Sequence, residues 1–185
     1  MVPGIRPSFS LRKAATHPMT HLQHETEATI LLGVMMEDQL VYVDKREGRG
    51  MIRISSDIGW RRPLHYGMLG MILMAYLRPE KAKEILKRNS LKTHTPHSIT
   101  DWDAFSLRLE KIRKDGFVVE TEEDVEGIIG IAAPIRDFSR EVVAALGVTL
   151  PISQRSEKEV QRIVRLVKSS TDEVSTGLGY LKILR

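Results

Sequence analysis

The sequence predicts an α+β domain: one six-stranded, mostly antiparallel sheet with helices packed on it. Three observations carry this. The segments run helices, three strands, helices, three strands, helix, instead of alternating strand and helix. Apolar runs are joined by short polar turns, as in hairpins. The stretch from Leu64 to Leu77 carries only His65 as a possible charge, so it reads as a helix buried between other elements.

Residues 1–26 read as helical, with Leu11, Ala14 and Ala15 as an apolar stripe and Pro18 as a break that opens a second helix. Glu27 to Met36 is dense in apolar and β-branched residues and reads as a buried strand. Glu37-Asp38-Gln39 is a polar turn, and Leu40 to Val43 is the return strand. Gly48 and Gly50 mark a second turn, after which Met51 to Ser56 alternates as a third, half-exposed strand. The sheet then gives way to the buried 64–77 helix. Pro79 to Arg88 is a further helix, with proline in its first turn and bases at its end. Thr100 is the expected N-cap of the next, with Asp103 at the reciprocal position. Trp102, Phe105, Leu109 and Ile112 follow at helical spacing, and Gly116 should close it. Strands return at Phe117 to Glu120, Gly127 to Ile135 and Val142 to Thr149, with a turn at Asp137 to Arg140. Ser156 and Glu159 form a capping box, and Val160, Ile163, Val164, Val167, Thr171, Val174 and Leu178 share one face of the last helix.

Composition narrows the chemistry. The chain has 185 residues, 42% hydrophobic and 28% charged, which fits one globular domain. It has no cysteine, so a disulfide scaffold, a cysteine-ligated metal and a thiol nucleophile are excluded. The same lack fits a cytoplasmic protein. No apolar run reaches the roughly 18 residues that span a bilayer, and residues 1–18 hold no apolar core of signal-peptide type. P-loop, nucleophile-elbow, metalloprotease and dinucleotide fingerprints are all missing. Gly67 with Gly70, and Gly127 with Gly130, read as sites of close backbone packing.

Three clusters invite a functional reading. His17, His21 and His24 fall at helical spacing, but Pro18 intervenes and a solvated face is the plainer reading; no metal is expected. Lys45, Arg46, Arg49, Arg53, Arg61 and Arg62 form a basic stretch interleaved with Asp44, Glu47 and Asp57. It reads as a solvated rim, with nucleic-acid binding and steering of an anionic ligand as the alternatives. Glu120, Glu122, Glu123, Asp124 and Glu126 read as an exposed turn, except that Glu120 ends an apolar strand. A carboxylate there can face inward and would need a partner.

Several segments together resemble the effector-binding domain of the IclR family of bacterial transcriptional regulators. They are Gly59, Pro63-Leu64-His65, Leu69-Gly70 and Leu73-Met74-Ala75, then Leu109, Ile112-Arg113, Gly116-Phe117, Glu122-Glu123 and Gly127, and last Ile131 to Ile135, Asp137 and Val142 to Val148. The order and spacing match from about Leu11 to Gly179. The resemblance implies a GAF-like fold, a curved antiparallel sheet flanked by helices, over residues 27–185. It implies a sensor, not an enzyme, with no cofactor and no catalytic residue. In the family this domain follows a winged helix–turn–helix that binds operator DNA; nothing before Leu11 forms one, so residues 1–26 are expected to be the linker to it. The implied partners are a small organic acid, operator DNA through that absent module, and further copies of the chain in a homodimer or homotetramer.

The resemblance also places a ligand. Met68, Leu69 and Gly70 should lie against it, with Glu120, Ile128, Gly130, Gly147 and Thr149 on the strands. Gly147 and Thr149 should share a side, because side chains alternate along a strand. Three departures stand out: Met71 where lysine is usual, large Tyr66 and Met68 where small residues are usual, and no hydroxyl at Gly147. They imply a more apolar pocket in which anion recognition leans on backbone N–H groups at the start of the 66–77 helix. A leucine at position 147 is expected to fill the pocket without unfolding the protein. Two further readings are an oligomerisation module without ligand and a small-molecule enzyme on a similar fold.

Overall fold

The computed structural model describes residues 5–49, 57–154 and 156–181. Its sheet has the order β3-β2-β1-β6-β5-β4 and is curled, with every neighbouring pair antiparallel. The strands are β1 (Thr29–Met36), β2 (Gln39–Arg46), β3 (Arg61–Pro63), β4 (Val118–Thr121), β5 (Ile128–Arg136) and β6 (Val142–Pro151). Helices α1 (Ile5–Thr26) and α5 (Glu157–Gly177) cover one face. Helices α2 (Gly67–Ala75), α3 (Pro79–Arg88) and α4 (Trp102–Asp115) cover the other. The fold is the α+β, GAF-like one expected.

Burial on both faces explains why β1 and β5 are continuous apolar runs instead of alternating ones. Leu32, Ile131, Leu146 and Val148 point toward α1 and α5, into a core with Met19, Leu22, Ile163 and Val167. Leu31, Val118, Ala132 and Ala145 point the other way, toward α2 and α4. Helix α2 is buried from Met68 to Ala75, as its all-round apolarity requires. It can sit this close to the chain before it because position 70 is glycine: a Cβ there would lie 1.9 Å from the Leu64 carbonyl oxygen.

Two expectations are corrected and one cannot be placed on the described residues. Helix α1 runs unbroken through Pro18. Pro18 is itself buried, and Leu11, Ala15, Met19 and Leu22 anchor the helix on both sides of it, so packing outweighs the one backbone bond that proline cannot donate. Residues 11–22 of this helix therefore pack into the same core as the strands. The cap of α4 is Asp101, not Thr100; its carboxylate accepts from the Ala104 N–H at 2.9 Å. Gly116 closes that helix in the left-handed conformation, φ 75°. The expected third strand, residues 51–56, lies outside the described residues. An edge strand forms at Arg61–Pro63, pairing with Gln39–Val41. Three residues ending in proline give no strand signal of their own, and proline is tolerated there because the outer edge needs no N–H donor. The apolar faces of α1 and α5 pack into the chain's own core.

Candidate functional site

Register brings the strand residues of the site together. Glu120 pairs with Gly130, Gly130 with Thr149, and Thr149 with Thr29, so these form a row across β4, β5, β6 and β1 on the face that α2 covers. One step along, Ala132 pairs with Gly147 and Gly147 with Leu31. Gly147 and Thr149 share a side, as expected.

Between this face and α2 lies a cavity of about 300 Å³. Met68, Leu69, Glu120, Ile128 and Thr149 line it, five of the eight residues expected at a ligand. Gly70, Gly130 and Gly147 do not line it. Gly70 serves the packing of α2 on Leu64. Over Gly130 and Gly147 the space is taken by Met68, whose sulfur would lie 2.9 Å from a Cβ on either. The leucine expected to fill the pocket from position 147 does not fit there: its Cβ would meet the Ile131 carbonyl oxygen at 2.6 Å, so the sheet itself would have to shift.

The first half of the chain supplies the rest of the wall: Leu31 from β1, Tyr42 from β2, Trp60 and Arg62 at β3, and Tyr66 and Gly67 leading into α2. Asp124 and Val125 come from the β4–β5 turn. Arg62 and Asp124 carried a signal, since both sat in charge clusters of the sequence. What pattern could not show is that the three-residue strand β3 turns Arg62 inward. The other described bases of that stretch meet acids: Lys45 with Glu47 at 3.2 Å, Arg46 with Asp44 at 2.7 Å, Arg49 with Glu27 at 3.4 Å and Arg61 with Glu37 at 2.6 Å. Arg53 lies outside the described residues.

Arg62 makes a two-pronged ion pair with Asp124, at 2.9 and 3.0 Å. Its guanidinium also lies 5.8 Å from the Trp60 ring centre and 5.6 Å from that of Tyr66. Burial works against its charge, but the hydrogen bond and charge of Asp124 outweigh that and hold the pKa above the ordinary value. Glu120 is 5% exposed. Its carboxylate accepts from the N–H groups of Glu123 at 2.8 Å and Asp124 at 3.0 Å, the partners that an inward carboxylate requires. Burial nevertheless pushes its pKa up to about 7, aided by the charges of Asp124 and Glu123 and opposed by those two N–H donors. The Thr149 hydroxyl, half-buried, has no partner among the described residues. Tyr66, the N-cap of α2, gives no side-chain cap to the leading N–H groups of that helix, whose first residues line the cavity.

Behind Tyr66 sits His65, 6% exposed, with neither ring nitrogen hydrogen-bonded among the described residues. Burial lowers its pKa to about 4, helped by His94, Lys92 and Arg62, so the ring is neutral. The histidines of α1 lie elsewhere, on the solvent side, where His17 meets Glu173 at 3.2 Å. Among the described residues no group of three His, Asp or Glu could hold a metal ion. No described helix is long and apolar enough to cross a membrane.

Residues 7–176 match the family described as bacterial transcriptional regulator IclR C-terminal. The chain is 32% identical over 173 residues to the HTH-type transcriptional regulator KdgR of Escherichia coli K12, covering 94% of this chain and 66% of that protein. It covers 57% of the KdgR of Dickeya chrysanthemi, at the same identity. Among solved structures, the C-terminal domain of E. coli KdgR superposes with a TM-score of 0.82 at 31% identity, covering 92% of this chain and 99% of that one. The IclR of Thermotoga maritima superposes at 0.85 with 32% identity, covering 92% and 69%. An IclR homolog complexed with 4-hydroxybenzoate, from Microbacterium hydrocarbonoxydans, shares the fold at 0.84 with 24% identity, covering 92% and 69%.

Proposed function

This chain belongs to the IclR family of bacterial transcriptional regulators, and from that premise we propose that it is a sensor for a small organic acid. In the whole regulator, occupancy of the cavity sets the operator affinity of an N-terminal winged helix–turn–helix, within a homodimer or homotetramer. The chain itself carries out no reaction.

The observation that supports this most is the composition of the cavity wall. Leu31, Met68, Leu69 and Ile128 offer an apolar surface, while Arg62, the Thr149 hydroxyl and the start of α2 offer the attractions an anion needs. A volume of about 300 Å³ suits a ligand of one ring or a short chain. That a neighbour of the same fold is complexed with 4-hydroxybenzoate is in keeping with this size and charge.

The test is a thermal-shift screen of keto, hydroxy and aromatic acids, followed by calorimetry on the hits. An acid at 100 times its dissociation constant should stabilise the fold by about 2.7 kcal/mol. A complete absence of shifts would favour the ligand-free oligomerisation module instead, a reading to which Met68, seated over two glycines, lends some weight.

A further inference from the structure

Arg62 is the only cation among the described residues that line the cavity, and it is already engaged. Both oxygens of Asp124 meet its two terminal nitrogens, at 2.9 and 3.0 Å, and the two rings of Trp60 and Tyr66 flank it. This is a general receptor for a planar carboxylate, since nothing in the fork geometry is particular to an aspartate. A ligand carboxylate anywhere else in the cavity would meet Glu120 and Asp124 with no other described cation to oppose them.

We propose that Asp124 is a resident stand-in on a carboxylate seat, and that an organic-acid ligand binds by taking Arg62 from it. The inference rests on the reading of this cavity as an acid sensor.

The surrounding bonds make such an exchange local. The turn that carries Asp124 is fastened without the Arg62 pair. The Thr95 hydroxyl donates to the Glu122 carbonyl at 2.5 Å, and the Ser98 hydroxyl to the Glu123 carbonyl at 2.7 Å. Arg108 holds the Glu123 carboxylate at 2.7 Å, and Glu120 accepts from the Glu123 and Asp124 N–H groups. Rotation of the Asp124 side chain is therefore enough to free the seat while the backbone stays in place. The arrangement is also selective. A tethered carboxylate competes at high effective concentration. Inorganic anions and very small acids gain too little elsewhere to displace it, whereas an acid whose body also covers Leu31, Met68 and Ile128 gains enough.

Chemical rescue tests the seat with acetate as the probe. Asp124→Ala leaves Arg62 unpaired and should lower Tm by roughly 5–10 °C. At constant ionic strength, 100 mM acetate, about ten times a dissociation constant of order 10 mM, should raise the Tm of this variant by roughly 3–6 °C. Wild type should not respond, acetamide should not substitute, and Arg62→Gln/Asp124→Ala should not be rescued. Asp124→Asn keeps the shape of the turn, so it serves if the alanine variant does not fold, with a smaller shift of the same sign. Equal responses of wild type and either variant to acetate would overturn the proposal and leave the sensor reading untouched. Rescue by acetate, with no organic acid binding wild type, would keep the seat and remove the sensor.

Discussion

The sulfur of Met68 occupies the place a side chain at Gly130 would take, 2.9 Å from where its Cβ would stand. The two positions therefore exclude each other. Gly130→Ala should cost roughly 1–3 kcal/mol by overpacking, and Met68→Ala roughly 2–5 kcal/mol through the hole it leaves. Together they should cost less than the sum, with a coupling of roughly 0.5–3 kcal/mol. Urea denaturation of the four proteins measures it; strict additivity would mean that the contact carries no energy. Met68→Ala should also open the cavity toward Gly147 and admit acids too bulky for wild type.

Thr149→Val keeps the shape of the wall and removes the hydroxyl that β6 contributes to it. Affinity for an acid found by screening should fall by roughly 0.5–1.5 kcal/mol for a neutral hydrogen bond, and by up to about 3 if the bond is to a carboxylate. Stability of the unliganded protein should change by no more than about 0.5 kcal/mol, because no protein group loses a partner. Calorimetry that finds unchanged affinity would place the ligand away from β6.

Two buried titratable groups act on stability with opposite sign. The unfolded chain protonates His65 near its ordinary value of 6.5, but the folded protein does so only near 4, so this group withdraws stability as pH falls through that window. Glu120 keeps its proton up to about 7 when folded, against an ordinary 4.5, so it withdraws stability as pH rises from 4.5 to 7. Between 4.5 and 6.5 the two offset each other. Glu120→Gln removes one of them. Relative to wild type the variant should gain about 1.4 kcal/mol for each pH unit raised through 4.5–7. Denaturation curves at pH 4.5, 5.5 and 6.5 check this; parallel profiles for the two proteins would show that Glu120 does not titrate in that range.

Gly70→Ala should be among the costliest single substitutions in the chain. Its Cβ would sit 1.9 Å from a backbone oxygen rather than a movable side chain, so α2 must lift from Leu64. A loss of roughly 3 kcal/mol is expected. Because α2 roofs the cavity, ligand binding should weaken in parallel. A variant with wild-type stability would contradict the close approach.

Five of the six described strands and the buried helices are legible because their signal is local. Continuous apolar runs fixed β1, β5 and β6, and the all-apolar stretch after His65 fixed α2. Glu120 stood out because a lone carboxylate closed an apolar strand. Pro18 and Arg62 were misread for a shared reason: what decides each is contact with residues distant in sequence. Pro18 stays helical because α1 packs on the core around α5. Arg62 looked like one more base on a solvated rim until Asp124, from the far side of α4, came to meet it. The glycines show the same limit. Room at positions 130 and 147 was visible in the sequence, but not that Met68 fills it.

The sheet order puts β1 beside β6, so the first of its described strands to be synthesised lies at the middle of the sheet next to the last of them. Residues 29–46 can form a hairpin during synthesis, but its inner edge stays open until residues 142–151 arrive. Loop-closure entropy across nearly the whole chain must be overcome before that contact forms, which makes folding slow compared with a helical bundle of equal size. An apolar edge exposed for that interval is a site for pairing with another nascent chain. The cavity wall, with Leu31 from one half and Thr149 from the other, is completed only when β6 has joined β1, so a fragment that ends before β6 cannot enclose it.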